Sequence, residues 1–332
     1  MDNPIIQFLF DSIVFVTPLL IVLMGELLLQ RSGLVNLGLN GIILLSSVLS
    51  FLVFSKTEQL ILSFIVAILT GIVLSVILGF VHIQLKLPIL ITGFAIALFG
   101  QNLTRFLGND IVLGIDVQFN PVNIPILKSI PFLGPVLFQH TAWVYAAHLL
   151  VLGVWIWVFK SRFGKILIGL GDNPDGLYRR GYKTTHIRYT YLIFGGLLTG
   201  SAGFVYTFLV DLGWRGTYAS YDGIGWFVFA LLMIGNWRPG RTMLFAYLYT
   251  FMFLGFQLFQ STQTVFSVQA INLIPQAIII LLLAIIHIGK RSWMITPINK
   301  ILSQEYTFIK NLNEKIQIPV VAESKIESIN EG

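Results

Sequence analysis

The chain has 332 residues, 56% of them hydrophobic and only 11% charged, with a mean hydropathy of +0.83. That is too apolar for a core wrapped in a polar surface, and it reads as a polytopic membrane protein. Cysteine is absent and the five histidines lack His-x-x-His or His-Glu-x-x-His spacing, which sets aside disulfide frameworks, thiolate sites and zinc chemistry. The net charge of +6 is read as membrane orientation rather than affinity for nucleic acid.

Met1-Asp2-Asn3-Pro4 carries no basic residue and no small-residue cleavage site follows the first apolar run, so that run is expected to be a retained span. Apolar windows able to hold a helix of about 20 residues lie at roughly 5–29, 34–54, 60–83, 88–107, 141–159, 189–210, 242–260 and 270–288. A ninth, about 222–236, is short and follows Asp211-Leu212-Gly213-Trp214-Arg215-Gly216-Thr217-Tyr218. A broken or re-entrant element packed on protein is expected there. The fold class is thus an all-α polytopic membrane protein of about eight to ten spans.

Basic residues test the path. With nine crossings and the amino terminus outside, the inner side receives Arg31, Lys86, Lys160, Arg162, Lys165, Arg179, Arg180, Lys183, Arg188, Arg238, Arg241, Lys290 and Arg291, and the outer side Lys56, Arg105, Lys128 and Arg215. Thirteen against four favours this orientation and favours a crossing by the short segment, since otherwise Lys290 and Arg291 move outside. The division that follows is a transmembrane domain over 1–291, with an outer loop at 108–140 stiffened by Pro121, Pro125, Pro131 and Pro135 and a cytoplasmic segment at 160–188, then a polar cytoplasmic tail at 292–332.

Polar groups inside hydrocarbon need a partner or a cavity. Glu26 is expected to pair with Arg31 near the inner interface. Asn36 and Asn40, four apart among Gly33, Gly38 and Gly41, either line a pathway or hydrogen-bond between close-packed helices. Gln101 and Asn102 near the outer end of the fourth window either meet an arriving ligand or finish a helix. Gly195, Gly196, Gly200, Ala202 and Gly203 are spaced for close helix packing. Trp214, Tyr218, Tyr221 and Trp226 form either a stacking wall or an interfacial belt.

The most structured polar stretch is GDNPDGLYRRGY, residues 171–182. Asn173-Pro174 reads as an N-cap followed by proline at the first helical position. Asp172 and Asp175 lie at the positive dipole end, Arg179 and Arg180 at the negative end, and Gly181 supplies a left-handed stop. A helix of about two turns must dock on something to persist. The pattern leaves open whether that is the chain's own spans and the headgroups or a soluble partner.

Three blocks in order carry a resemblance: GELLLQRSGLVNLGLNG at 25–41, GDNPDGLYRRGYKTTHIRYTYLIFGGLLTGSAG at 171–203 and YDGIGWFVFALLMIGNWRPGR at 221–241. They resemble the membrane permeases of ABC importers in the branched-chain amino acid and simple-sugar permease superfamily, within it the nucleoside branch. The resemblance covers about residues 5–290. It implies that 160–188 carries the coupling helix that rests on the ATPase subunit, with Gly171, Asp172, Asn173, Pro174 and Gly181 shaping it and Leu177, Tyr178, Arg179 and Arg180 as its contact face. Asp172, Asn40 and Gln30 stand where the family commonly has glutamate, which removes acidic groups from two of these positions.

Of the polar and aromatic residues in or beside the spans, Asn36, Asn40, Gln101, Asn102, Trp214 and Asp222 are the candidates for a translocation pathway, and the resemblance implies nucleosides or ribose-like sugars as cargo. The implied partners are an ATPase holding ATP and magnesium, a second permease that is a copy or a homologue, an extracytoplasmic binding protein and membrane lipid. No catalytic residue, metal or cofactor is expected on this chain, because it carries no Gly-x-x-x-x-Gly-Lys-Ser/Thr phosphate loop. An ion-coupled carrier would place ionisable groups at mid-membrane, whereas Glu26, Asp211 and Asp222 fall near interfaces. An intramembrane enzyme needs a converging nucleophile or metal set, and the histidines are dispersed. A multi-pass inner-membrane location follows.

Overall fold

Asn3 opens the first helix by accepting the Ile5 N–H at 2.9 Å on its side chain, with Pro4 at the first helical position. The computed structural model describes residues 3–109, 112–114, 119–122, 130, 132–215, 223–262, 268–289, 298, 301 and 303. Helix α1 (Pro4–Arg31) is apolar on every side, so it has no face to offer water or a polar neighbour. It becomes the core of the bundle, with 94% of its most apolar window buried.

Helices α2 (Leu39–Thr57), α3 (Leu60–Ile83) and α4 (Ile89–Gly108) follow through short connections and therefore alternate in direction. After α4 come strand β1 (Val112–Gly114) and a single turn, α5 (Leu133–Leu137). Helices α6 (Ala142–Lys160), α7 (Arg162–Asp172), α8 (Pro174–Arg179) and α9 (Thr184–Val205) succeed it, and a π-turn carries α9 on to Val210. Strand β2 (Gly213–Arg215), α10 (Ile224–Ile234), α11 (Pro239–Thr262) and α12 (Val268–Gly289) complete the described elements.

Seven of these helices are long and apolar enough to cross a membrane among the described residues, and they coincide with the first seven windows expected from sequence. The eighth window is α12, of 22 residues. The outer faces of α3, α4 and α6 carry Ile61, Leu69, Phe99, Phe106 and Leu149 exposed, the surface that a lipid phase solvates.

Glycine decides how the inner helices meet. A Cβ on Gly71 of α3 would lie 2.1 Å from the Gly196 carbonyl oxygen of α9, and one on Gly200 would lie 2.3 Å from that of Ala67. Only hydrogen fits between these backbones, as the small-residue spacing in α9 predicts. Ser47 then donates to the Gly203 carbonyl at 2.8 Å across the α2–α9 contact.

The segment between α4 and α6 adds an element that composition did not announce. β1 pairs antiparallel with β2, with Leu113 opposite Trp214, and Pro121 bridges to Thr141. Trp214 is buried and donates from Nε1 to the Gly108 carbonyl at 2.9 Å, fastening this ribbon to the end of α4. The opposite end of the bundle holds the end of α1, the α6–α9 elbow and the turn after α10, because Arg31 donates to the Trp237 carbonyl at 3.0 Å. The chain therefore passes from one end to the other between Trp214 and Trp237. Helix α10, 11 residues long, supplies about 16 Å of that passage, roughly half of a hydrocarbon core of about 30 Å. The short apolar window expected at 222–236 is thus, over its described residues, a half-length helix. Tail residues 292–332 lie outside the described residues apart from Ile298, Ile301 and Ser303.

Candidate functional site

The elbow between α6 and α9 is built from two capped helices sharing one residue. Ser161 caps α7 by accepting the Gly164 N–H at 3.0 Å. Gly164 sits so close to the end of α6 that a Cβ would lie 2.1 Å from the Val158 carbonyl oxygen. α7 buries Gly164, Leu167, Leu170 and Gly171 and exposes Arg162, Phe163 and Lys165, so it lies with one apolar side against the bundle.

Asn173 ends α7 and starts α8. Its N–H donates to the Gly169 carbonyl at 2.9 Å, while its Oδ1 accepts the Gly176 N–H at 2.9 Å. Pro174 occupies the first position, and Asp175 lies in the first turn with Arg179 in the last. The stop is left-handed: Gly181 has φ +88° and donates to the Tyr178 carbonyl at 2.8 Å, and Tyr182 reaches back to Leu177 at 3.3 Å. Both ends of a helix of six residues are thus satisfied, which is what lets so short an element hold its shape.

Leu177 differs in exposure from the other three residues expected on the contact face. It is 9% exposed and is one of the residues, with Gly169, Asn173, Gly176 and Arg180, around a recess of about 170 Å³. It is the buried residue of α8, and its Cδ1 lies 3.9 Å from where a Cβ on Gly169 of α7 would stand. Tyr178, 69% exposed, with exposed Arg179 and Arg180, remains as a projecting aromatic tip with a basic rim. Asp172 and Asn173 are exposed, Pro174 is half-buried and Gly171 is buried.

Gly171 is the seat of the elbow on the core. Gly33, at φ +83°, is close enough that a Cβ on it would touch the Gly171 Cα at 3.4 Å. Asp172 is the opposing charge felt by Arg31.

Of the residues expected along a translocation pathway, Asn36, Asn40, Gln101, Asn102 and Trp214 are among the described residues. Asn36 and Asn40 are buried, at 2% and 1% exposure. Asn36 Oδ1 accepts the Gly38 N–H at 2.9 Å, and Asn40 Oδ1 accepts the Gly223 N–H at 2.8 Å. Both side chains thereby satisfy a backbone amide in the interior. Gln101 is half-buried, and Asn102 lies on the exposed side of α4 with its Nδ2 donating to Leu98 of its own helix at 2.8 Å. Trp214 is a packing anchor, as described. Trp226 lies 6.0 Å from Phe94, while Tyr218, Tyr221 and Asp222 lie outside the described residues.

The expected Glu26–Arg31 pair is absent among the described residues. Glu26 Oε1 accepts from Gln30 at 2.8 Å and from the Asn36 N–H at 3.1 Å. Arg31 instead turns to the Trp237 carbonyl and lies 5.6 Å from the Phe159 ring centroid. One helical turn brings Gln30 back over Glu26, whereas Arg31 points to the other side of α1. Trp237 and Gln30 are the residues that sequence reading missed. A tryptophan in the polar Gly-Asn-Trp-Arg-Pro-Gly turn, 235–240, was the available signal.

At the ribbon end a cavity of about 450 Å³ is bordered by Phe10, Asp11, Phe15, His140, Thr141 and Leu254. The Phe10 ring stacks on His140 with centroids 4.3 Å apart. His140 Nε2 donates to the Val136 carbonyl at 2.7 Å, and burial pushes its pKa below the usual imidazole value.

The comparisons with known proteins extend these observations. The chain is 32% identical over 237 residues to a Haloferax volcanii protein named as a glucose ABC transporter permease, TsgC13, covering 70% of this chain and 71% of that one. It is 27% identical over 280 residues to the guanosine ABC transporter permease NupQ of Bacillus subtilis, covering 78% and 86% of the two chains. It is 26% identical over 251 residues to the nucleoside ABC transporter permease NupC of Lactococcus lactis subsp. cremoris, covering 72% and 78%. No solved structure matches the chain. The family model described as branched-chain amino acid transport system, permease component, matches residues 8–286, so this multi-pass membrane protein belongs to that permease family.

Proposed function

We propose that the chain is the non-catalytic membrane subunit of an ABC importer that carries nucleosides or related simple sugars, with the elbow at 160–188 on the cytoplasmic side and the amino terminus outside. The observation that carries this reading is α8. A short helix closed at both ends and tied down by Leu177 presents Tyr178, Arg179 and Arg180 in a fixed shape, so docking costs little further ordering. That suits a helix that receives the movement of a partner ATPase.

The basic residues that set the orientation support it in the fold as well. Arg31, Lys86, Lys160, Arg162, Lys165, Arg179, Arg180, Lys183, Arg188, Arg238 and Arg241 all fall at the elbow end of the bundle, which is the cytoplasmic end under the positive-inside rule. ATP and magnesium would sit on the ATPase. A binding protein would deliver cargo at the ribbon end, and a second permease, a copy or a homologue, would complete the pathway. The relatives named for guanosine and nucleosides favour a nucleoside, and the one named for glucose keeps a sugar as the second reading.

The test is uptake of labelled guanosine, ribose and glucose into proteoliposomes holding the whole complex, with and without ATP and the binding protein. ATP-dependent guanosine uptake competed by other nucleosides supports the first reading. ATP-dependent uptake of a sugar alone moves the substrate, and uptake driven by an ion gradient without ATP sinks both.

A further inference from the structure

Helix α10 is held at both ends by one stretch of chain. Its N-cap, Gly223, has φ +91° and no side chain to offer. The cap comes from elsewhere: Asn40 Oδ1 accepts the Gly223 N–H at 2.8 Å and the Gly225 N–H at 3.4 Å, the role that a serine or aspartate at the cap position ordinarily plays. A Cβ on Gly225 would lie 2.3 Å from the Asn40 nitrogen, so the two backbones touch directly.

The other end is fastened to the same stretch. After Ile234 the chain reverses through Asn236 and Trp237, at φ 53° and 48°, a left-handed pair that only firm surroundings maintain. Trp237 is fully buried; its Nε1 donates to Gln30 Oε1 and its carbonyl accepts from Arg31 at 3.0 Å. Between these grips the segment is braced internally, by Gln30 and Asn36 donating to Glu26 and by Gly38 donating to Asn36. Its Gly33 rests on Gly171, one residue from the start of the α7–α8 junction.

We propose that α10 and segment 26–40 move as one body, and that Asn40 and Trp237 are positioning residues that hand displacement of the α7–α8 elbow to α10. The proposal rests on the transport reading above. Buried hydrogen bonds at both ends make separation of α10 from the segment costly, so a push at Gly171 is transmitted rather than absorbed. A helix about half as long as the membrane is thick alters one half of a pathway when it shifts.

The experiment uses the full chain in its complex with ATPase and binding protein, reading ATP hydrolysed per molecule imported. Asn40→Ala is expected to raise that ratio roughly tenfold with assembled complex unchanged, since two helix-capping bonds are lost. Asn40→Asp, which keeps an acceptor for both amides, restores it. Trp237→Phe, which keeps a ring and drops the donor, raises it less. Wild-type stoichiometry in Asn40→Ala overturns the proposal, as does a loss of assembled complex with the ratio unchanged.

A second reading is independent of cargo. The chain has no cysteine, so cysteines placed at Lys165 and Ala230 give one pair of spin labels per copy of the chain. Their separation is expected to stay constant between nucleotide-free and ATP–vanadate states and to spread in Asn40→Ala. A change in the unsubstituted background means that α10 moves on its own. Failure of the wild-type complex to import anything on ATP would instead remove the transport reading, while the label pair still reports whether α10 follows the elbow.

Discussion

Trp237 donates its indole N–H to Gln30 across 207 positions of sequence, and its carbonyl is held by the next residue, Arg31. One buried side chain thereby joins the end of the central helix to the turn between α10 and α11. Trp237→Phe should keep most of the packing and remove the donor. A cost of about 1–2 kcal/mol is expected, seen as a lower thermal midpoint of the purified protein. Trp237→Ala, which also leaves a cavity, should cost about 3–5 kcal/mol. Equal midpoints for Phe and wild type would show that the indole bond contributes nothing.

Gly181 is needed for its φ of +88°, which a side chain disfavours by roughly 1–2 kcal/mol. Gly181→Val should fray the last turn of α8 and lower substrate-stimulated ATP hydrolysis several-fold, with the amount of folded permease maintained because nothing lies within 4 Å of the site where its Cβ would stand. Unchanged stimulation would remove α8 from the coupling path.

Tyr178 projects at 69% exposure, so Tyr178→Asp should leave the fold intact. It should weaken capture of the ATPase by tenfold or more if the ring is an interface anchor worth about 2 kcal/mol. Leu177→Asp is a different experiment, since Leu177 is buried and a carboxylate there should undo the α7–α8 junction itself. If the two variants behave alike, the division between tip and strut made from their exposure is wrong.

A cysteine at position 178 should react with a membrane-impermeant thiol reagent in inside-out vesicles and stay unlabelled in intact cells. Labelling from outside would invert the orientation while leaving the helix arrangement unaffected.

His140 carries the pH dependence that burial dictates. Its folded pKa lies below the unfolded value, so the unfolded chain binds the extra proton first as pH falls. The stability it contributes is full above the ordinary imidazole range and declines as pH drops through it. The thermal midpoint should fall between pH 7.5 and 5.5, and less so in His140→Phe. A larger drop in the variant would mean that other groups dominate.

The amino-acid sequence alone located the long helices, because a stretch of about 20 apolar residues has few alternatives in lipid. It also located α8 with both caps, since Asn173-Pro174 and Gly181 are local signals that act within one turn of chain. The spacing of small residues in α9 announced close packing as well, while the choice of α3 as the neighbour came from the structure. What the tertiary structure alone decided is where polar side chains point. Asn36 and Asn40 had two readings by spacing, and burial against the amides of Gly38 and Gly223 made them braces. Glu26 and Arg31 are five residues apart in sequence, yet a carbonyl 206 residues beyond Arg31 accepts its hydrogen bond. Periodicity reports which side of a helix is apolar, but a hydrogen bond between distant segments depends on the packing of the whole bundle. For this chain the packing set Asn36 and Asn40 against the amides of Gly38 and Gly223, a placement that spacing alone left open.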